Sequence, residues 1–165
     1  MSSGIQIPED MRFQQREWLA QRIAWIVMAL IIVAALGGLF GYGPASWASA
    51  ADSTGKLRIE YERFGRVDAA VELKVWVDPS LFSDDRVEVW IDRSFIDAQQ
   101  IDSITPEPSR AEPGAERCVF SFPAPRGSDR AYIVFHLAPQ ISGRYSGRLG
   151  TPGGPDLPIA QFVYP

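Results

Sequence analysis

The segment from Ile23 to Phe40 constrains this chain more than any other. It reads IAWIVMALIIVAALGGLF, a run without a charged or strongly polar side chain. At ~1.5 Å of rise per residue, a helix of this length covers about 27 Å, close to the ~30 Å hydrocarbon core of a bilayer. The segment therefore predicts a single N-terminal transmembrane α-helix, which we expect over residues 23–42.

Composition limits what the rest of the chain can be. Of the 165 residues, those beyond the apolar segment are sufficient for one domain. The formal net charge is −4, which argues against nucleic acid as a partner because phosphate binding needs a basic face. One cysteine and one histidine allow no intramolecular disulfide and are too few for a typical zinc or copper site. We therefore expect no cofactor and no metal.

The flank before the apolar segment, residues 1–22, indicates an orientation. Pro8–Asp10 is typical of a helix start, so we expect a helix that runs from there into the apolar segment. Residues 41–55 contain no lysine or arginine, whereas the flank carries Arg12, Arg16 and Arg22. Basic residues beside a span are retained in the cytoplasm. The flank is thus predicted to be cytoplasmic and the C-terminal domain extracytoplasmic, which in a bacterium means an inner-membrane protein with a periplasmic domain.

Residues 43–54 are predicted to be a linker that contains a candidate cleavage site. Ala48-Ser49-Ala50 has the small-x-small form that signal peptidase recognises. However, the apolar segment is longer than the ~7–15 residues of a typical signal peptide, and its flank contains acidic residues. The sequence therefore favours an uncleaved signal anchor, with cleavage after Ala50 as the alternative.

Small residues within the apolar segment predict a helix contact. Gly37 and Gly41 form one pair at four-residue spacing, and Ala34 and Gly38 form another. This spacing lets helix backbones approach closely in lipid, so the segment is a candidate contact with a second copy of the chain or with another span. Aromatic residues near its two ends are typical of a belt at the membrane interface: Trp18, Trp25, Phe40, Tyr42 and Trp47.

From Leu57 onward, apolar and polar side chains alternate. Every second residue is apolar in Leu57–Tyr61, Val71–Val77 and Val87–Ile91, which is typical of half-buried strands. A single helical turn is expected near Ser94–Gln99. Further strands are predicted, between turns rich in Pro, Gly and Asp, at residues 100–105, 118–122, 131–137, 145–149 and 160–164. About seven or eight strands predict an antiparallel, immunoglobulin-like β-sandwich over residues 55–165, with a small barrel as the alternative.

The predicted domain offers little for catalysis. His136 is expected on the face opposite the core, without partners for proton transfer. Cys118 is expected on the core face as an inert thiol. Asp84 and Asp85, near Glu88, lack the ligand spacing of a calcium loop. The chain has no nucleophile or phosphate-loop motif, so we do not expect an enzyme.

Two tryptophans are the most prominent candidates for a binding surface. Trp76 and Trp90 each occupy a polar position of an alternating strand. If their two strands form a hairpin, both indoles project from one outer face, beside Lys74 and Glu88. Exposed aromatic clusters mark interaction sites, so the pair is a candidate protein-contact patch. The alternative is that a loop covers the indoles or that Lys74 stacks on one of them.

Four segments carry a family resemblance: RIAWIVMALIIVAALGGLFGYGP at Arg22–Pro44, LRIEYERF at Leu57–Phe64, ITPEP at Ile104–Pro108 and QFVYP at Gln161–Pro165. In these segments the chain resembles a family of uncharacterised bacterial single-span inner-membrane proteins with an extracytoplasmic β domain. The resemblance implies location and architecture. It also suggests a partner, since members are often encoded beside a multi-span membrane protein. No activity is assigned to the family, so it supplies no site residues.

Together these features predict a non-enzymatic, membrane-anchored accessory or scaffold subunit. It would contact the lipid bilayer and present its β-sandwich to an integral membrane protein. One alternative is a membrane-tethered ligand-binding or sensing domain, which a deep apolar pocket would favour. The other is a secreted enzyme released after Ala50.

Overall fold

The computed structural model describes residues 11–36, 46–127 and 129–165, with side chains from Glu17 onward. One helix, α1 (Met11–Leu36), precedes a domain of two β-sheets. A 3-10 turn (Pro79–Leu81) lies before β5, and the short helix α2 (Arg93–Ile96) follows it. The strands are β1 (Trp47–Ala51), β2 (Leu57–Glu62), β3 (Phe64–Arg66), β4 (Val71–Val77), β5 (Arg86–Asp92), β6 (Gln99–Thr105), β7 (Arg110–Pro113), β8 (Arg117–Pro123), β9 (Ala131–Pro139), β10 (Gly143–Gly150) and β11 (Asp156–Tyr164).

Helix α1 is long and apolar enough to cross a membrane. Its stretch Glu17–Leu36 has a mean hydropathy of 2.2, and none of it is buried against the rest of the described chain. A signal sequence meets the same criteria of length and composition. The predicted helix start at residues 8–10 and the predicted end of the span at residues 37–42 lie outside the described residues.

The first sheet has the strand order β1-β2-β4-β9-β6, and all neighbouring strands in it are antiparallel. In β2 and β4 apolar residues alternate with more polar ones, so one face of each of these strands is buried. In β4, for example, Val71, Leu73, Val75 and Val77 are buried, while the residues between them are partly exposed.

The second sheet has the order β3-β11-β10-β5-β8-β7. Its pairs are antiparallel except for β3 and β11, which are parallel. Strands β2 and β3 are separated only by Arg63. The chain therefore passes from the first sheet to the second at this residue.

The hydrophobic core lies between the two sheets. Phe135 of β9 meets Phe120 and Phe122 of β8 edge-on, with ring centroids 5.3 and 6.4 Å apart. Such aromatic pairs add about 0.5–1.5 kcal/mol beyond the burial of their area. In the described residues, two facing sheets thus enclose the core, as a sandwich does, rather than one closed barrel.

Three of the eleven strands in the described part of the chain were not predicted, because each lacks an alternating apolar pattern. β1 consists mostly of small residues, β3 has only three residues, and β7 is exposed along its whole length. β1 lies inside residues 43–54, the predicted linker, and pairs with β2 over five residues. The sheet therefore begins at Trp47 rather than at residue 55.

The predicted hairpin of β4 and β5 was wrong. β4 lies in the first sheet, between β2 and β9, and β5 lies in the second, between β10 and β8. The 3-10 turn at Pro79–Leu81, where the Asp78 carboxylate accepts from the Ser80 N–H at 3.1 Å, carries the chain across. Alternation identifies the buried face of each strand but does not tell whether two strands pair or face each other.

Candidate functional surface

Trp76 and Trp90 lie on the outer faces of different sheets, so the predicted two-tryptophan patch does not exist. Trp90 is only 5 % exposed. The Arg117 guanidinium carbon lies 3.8 Å from the centroid of the Trp90 ring, and Gly150 of β10 is the cross-strand neighbour of Trp90. Trp90 is therefore a packing residue.

Trp76 instead belongs to an aromatic surface on the outside of the first sheet. The centroids of the Trp76 and Tyr132 rings are 5.1 Å apart, with a tilt of 32°. Tyr132 is 47 % exposed, and Trp47 of β1, on the same outer side, is 37 % exposed. We refer to Trp47, Trp76 and Tyr132 as the aromatic face.

Cationic side chains hold two of these rings. The Arg58 guanidinium carbon lies 5.4 Å from the Trp76 ring centroid, and the Lys74 ammonium nitrogen lies 4.7 Å from that of Trp47. Lys74 also pairs with a Glu72 carboxylate oxygen at 2.9 Å. Exposed cation–π contacts contribute about 0.5–1 kcal/mol and exposed ion pairs less. Their main effect is to restrict the orientation of the two rings.

A cluster of titratable groups adjoins the aromatic face. Burial raises the pKa of Glu62, the cross-strand neighbour of Trp47, although the backbone hydrogen bond with Glu72 opposes this rise. The hydrogen bond with Glu72 raises the pKa of Lys74. Another Glu72 oxygen lies 3.7 Å from His136 Nδ1, and His136 is on the outer side, as predicted. The cluster makes this surface polar at its margin.

The other candidates from the sequence have plain structural positions. Cys118 belongs to the core, and burial raises the pKa of its thiol, which disfavours a reactive thiolate. Asp84 and Asp85 lie in a turn with φ angles of 47° and 59°. Within residues 17–36, 46–127 and 129–165, no three His, Cys, Asp or Glu side chains are arranged to hold a metal ion.

Predictions about the N-terminal part fall mostly outside the described residues. Of the three arginines expected to set the orientation, Arg22 has a described side chain, with its guanidinium carbon 4.6 Å from the Trp18 ring centroid. Arg12 and Arg16 do not. Of the predicted helix contact, Ala34 lies in α1, while Gly37, Gly38 and Gly41 lie outside the described residues. Orientation and helix contact stay predictions.

A groove of about 320 Å³ opens beside Tyr132. Its lining is apolar apart from the Arg126 side chain and the tyrosine hydroxyl, and includes Phe122 and three prolines: Pro106, Pro123 and Pro125. Its volume is at the lower end of the ~300–1,000 Å³ of typical ligand sites, and it lacks their several convergent polar groups.

Sequence reasoning missed two members of the aromatic face. Tyr132 alternates with Ala131 and Ile133, so its outward position was readable from the pattern. Trp47 was assigned to the membrane belt, because nothing in its small-residue surroundings signals a strand. The pairing of β4 with β9, which brings Tyr132 beside Trp76, is known only from the tertiary structure.

No protein-family model matches the chain, and no curated protein sequence is significantly similar to it. The resemblance to single-span inner-membrane proteins therefore stays a prediction.

Proposed function

We propose that this protein is a non-enzymatic, membrane-anchored accessory or scaffold subunit whose β domain binds an integral membrane protein outside the cytoplasm. The observation that carries the proposal is the aromatic face. Large aromatic side chains dominate the energetics of protein interfaces, and here three of them lie on one exposed side of a sheet. The charged residues beside them supply the polar rim that such interfaces have.

The proposal includes α1 as a retained membrane anchor with a cytoplasmic N-terminus. The candidate cleavage sequence, Ala48 to Ala50, lies within β1, and the Ala48 side chain is only 5 % exposed. Cleavage after Ala50 would leave Ala51 as the only residue of β1 and would uncover the edge of β2. The contribution of β1 to the sheet therefore supports an uncleaved chain.

We further propose that the β domain is an immunoglobulin-like sandwich. Two mostly antiparallel sheets that face each other, and a chain that switches sheets between β2 and β3, support this assignment. In such folds the sheet faces and edges are available for binding while the core stays closed. This arrangement fits a subunit that works by contact.

Native purification from membranes tests the partner contact. We expect the full chain, solubilised in mild detergent, to co-purify with an integral membrane protein. Trp76→Ala combined with Tyr132→Ala should weaken that contact by about 30-fold or more, since hot-spot truncations cost about 2 kcal/mol or more. Ile101→Ala, which removes another exposed apolar side chain from edge strand β6, is the matched control and should retain the partner.

Two outcomes contradict the proposal. One is recovery of the chain alone under mild conditions. The other is a partner that the Trp76→Ala, Tyr132→Ala double variant retains as well as the control does.

A membrane-tethered ligand-binding domain is the second candidate. The groove beside Tyr132 favours it, because its volume of about 320 Å³ accommodates a small apolar molecule. A small molecule that co-purifies with the native chain, and is lost when Ala124→Trp fills the groove, would favour this function over the first.

A further inference from the structure

A second exposed aromatic cluster lies on the outer face of the six-stranded sheet, at its β3–β11 edge. Phe162 is 42 % exposed, and Phe64 and Tyr164 are half-buried. The Tyr164 ring centroid lies 5.0 Å from that of Phe162 and 6.2 Å from that of Phe64. None of these rings belongs to the aromatic face, which is on the other sheet.

Arginines flank this cluster. Arg144 is the cross-strand neighbour of Phe162 in β10, and Arg66 is the neighbour of Tyr164 in β3. We refer to Phe64, Phe162, Tyr164, Arg66 and Arg144 as the edge patch. Ile141, which is 60 % exposed, lies three residues before Arg144 at the entry to β10.

The charges of the edge patch are not neutralised within the domain. Arg66 and Arg144 are exposed. Neither belongs to the ion pairs that the described residues form. Elsewhere in the same sheet, Arg110 pairs with Glu112, and Arg148 pairs with Asp156 at 2.5 Å. The edge patch thus offers positive charge to an external anion, although the chain as a whole has a net charge of −4.

The chain coming from α1 enters the domain beside the edge patch. The Arg63 N–H donates to the Ser46 carbonyl at 2.6 Å, and the Arg63 carbonyl accepts from the Phe162 N–H at 2.7 Å. From Phe40, the last residue of the apolar segment, to Ser46 the chain can extend at most about 20 Å. The nine-residue strand β11 is about 30 Å long. The tether therefore holds this end of the sandwich, rather than the far end, close to the membrane.

We propose that the edge patch binds the anionic lipid surface of the membrane that anchors α1. This inference rests on the proposed membrane anchor. Aromatic rings favour the headgroup region of a bilayer, and arginines there bind lipid phosphates. The contact restricts rotation of the tethered domain and turns the edge patch, which is on the opposite sheet from the aromatic face, toward lipid. The aromatic face then points away from the lipid and stays available to the part of a membrane protein that projects from the bilayer.

The test uses the full chain in nanodiscs, with a bimane label at one of two introduced cysteines. Ser142→Cys lies in the exposed loop before β10, and Pro152→Cys lies in the exposed turn at the opposite end of the same hairpin. Cys118 is buried, and unsubstituted chain serves as the labelling blank. Quenching by a nitroxide on the lipid headgroup reports proximity to the bilayer surface.

In nanodiscs that contain phosphatidylglycerol, we expect quenching at position 142 to exceed quenching at position 152. Replacing phosphatidylglycerol with phosphatidylcholine should reduce the difference, and so should Arg66→Glu combined with Arg144→Glu. The ratio of docked to undocked domain should fall about fivefold or more for each arginine removed. Arg86→Glu combined with Arg126→Glu changes two exposed arginines at the far end of the sandwich and should leave the quenching unchanged.

Failure of this inference is distinguishable from failure of the proposed anchor. A full chain that does not incorporate into nanodiscs overturns the anchor and the lipid contact together. A chain that incorporates but shows equal quenching at the two positions overturns the lipid contact alone. Unequal quenching that neither the lipid exchange nor the Arg66→Glu, Arg144→Glu variant alters also overturns it.

Discussion

Trp76 and Trp90 occupy equivalent positions in their strands, yet the two outer faces accommodate them in opposite ways. Trp76 has large neighbours, Tyr132 and Arg58, and its ring stays partly exposed between them. Trp90 has Gly150 as a cross-strand neighbour, and its ring is almost completely covered. In this domain the outward tryptophan beside a glycine is packed, and the outward tryptophan between two large side chains stays partly exposed.

Glycine at position 150 makes the close packing of Trp90 feasible. A Cβ atom at this position would lie 2.6 Å from Trp90 Cζ2 and 2.8 Å from the Pro155 carbonyl oxygen. Backbone as well as side-chain atoms fill the space, so a larger residue has no simple way to fit. The outer face of the six-stranded sheet is closed here, whereas that of the five-stranded sheet is open at Trp76.

The largest expected effect is on stability after Trp90→Ala. Removal of this buried ring should lower the free energy of unfolding by about 3–5 kcal/mol, as measured by chemical denaturation of the full chain in detergent. Trp76→Ala, the matched control on the open face, should cost roughly 1 kcal/mol, because it loses mainly one aromatic and one cation–π contact. Similar costs for the two substitutions would refute the distinction between packing and surface tryptophans.

The next effect is that of Gly150→Ala, which should lower the free energy of unfolding by about 1–3 kcal/mol through overpacking. If the Trp90 ring is one source of the clash, the same substitution should cost less in a Trp90→Phe background, because the smaller ring leaves room. A double-mutant cycle in the same denaturation assay measures this coupling. Strict additivity would mean that Gly150 does not serve the packing of Trp90.

The smallest expected effect on stability concerns Glu62, which lies beside Trp47 of the aromatic face. Because burial raises the pKa of Glu62 in the folded state, ionisation of this carboxyl opposes folding. The protonated Glu62 carboxyl stabilises the folded state. This contribution is complete below pH 4.5, the ordinary pKa of a glutamate, and is lost as pH rises through the raised pKa of Glu62. Glu62→Gln should therefore stabilise the domain relative to the original chain by an amount that grows as pH rises from 4.5 through the raised pKa and is constant above it.

Denaturation midpoints of both chains across the acidic and neutral range check the effect of Glu62. Glu112→Gln, on the exposed strand β7, provides the control for loss of a surface carboxylate. A difference between Glu62→Gln and the original chain that shrinks with rising pH would contradict the assigned sign.

Strands with a strong apolar alternation were predictable, because burial of one sheet face requires that pattern. β4, β5 and β9 lie close to their predicted bounds, and Cys118 is on the predicted core face. β1 and β7 were not predictable in this way. The side chains of Ala48 and Ser49 are too small to indicate which face of β1 is buried. β7 has no buried side at all.

The candidate surfaces were less predictable than the strands. Trp76 was identified from its position in an alternating strand, but its partners were assigned through a hairpin that does not form. Phe64 and Phe162 are nearly 100 residues apart in the chain and meet through the parallel pairing of β3 with β11. Local periodicity carries no information about such long-range pairing, because the pattern of a strand depends on its burial rather than on its neighbour.

The sequence by itself determined the two-part organisation: an apolar helix near the N-terminus, and a β-rich domain whose core residues recur at every second position of several strands. Both follow from how apolar side chains are spaced along the chain. Tertiary structure alone decided that β4 and β5 belong to different sheets, that Trp90 is packed against Gly150 while Trp76 remains open, and that the chain enters the domain beside Phe162. These features depend on which strands lie side by side, and strand pairing is set by the combined packing of the whole core.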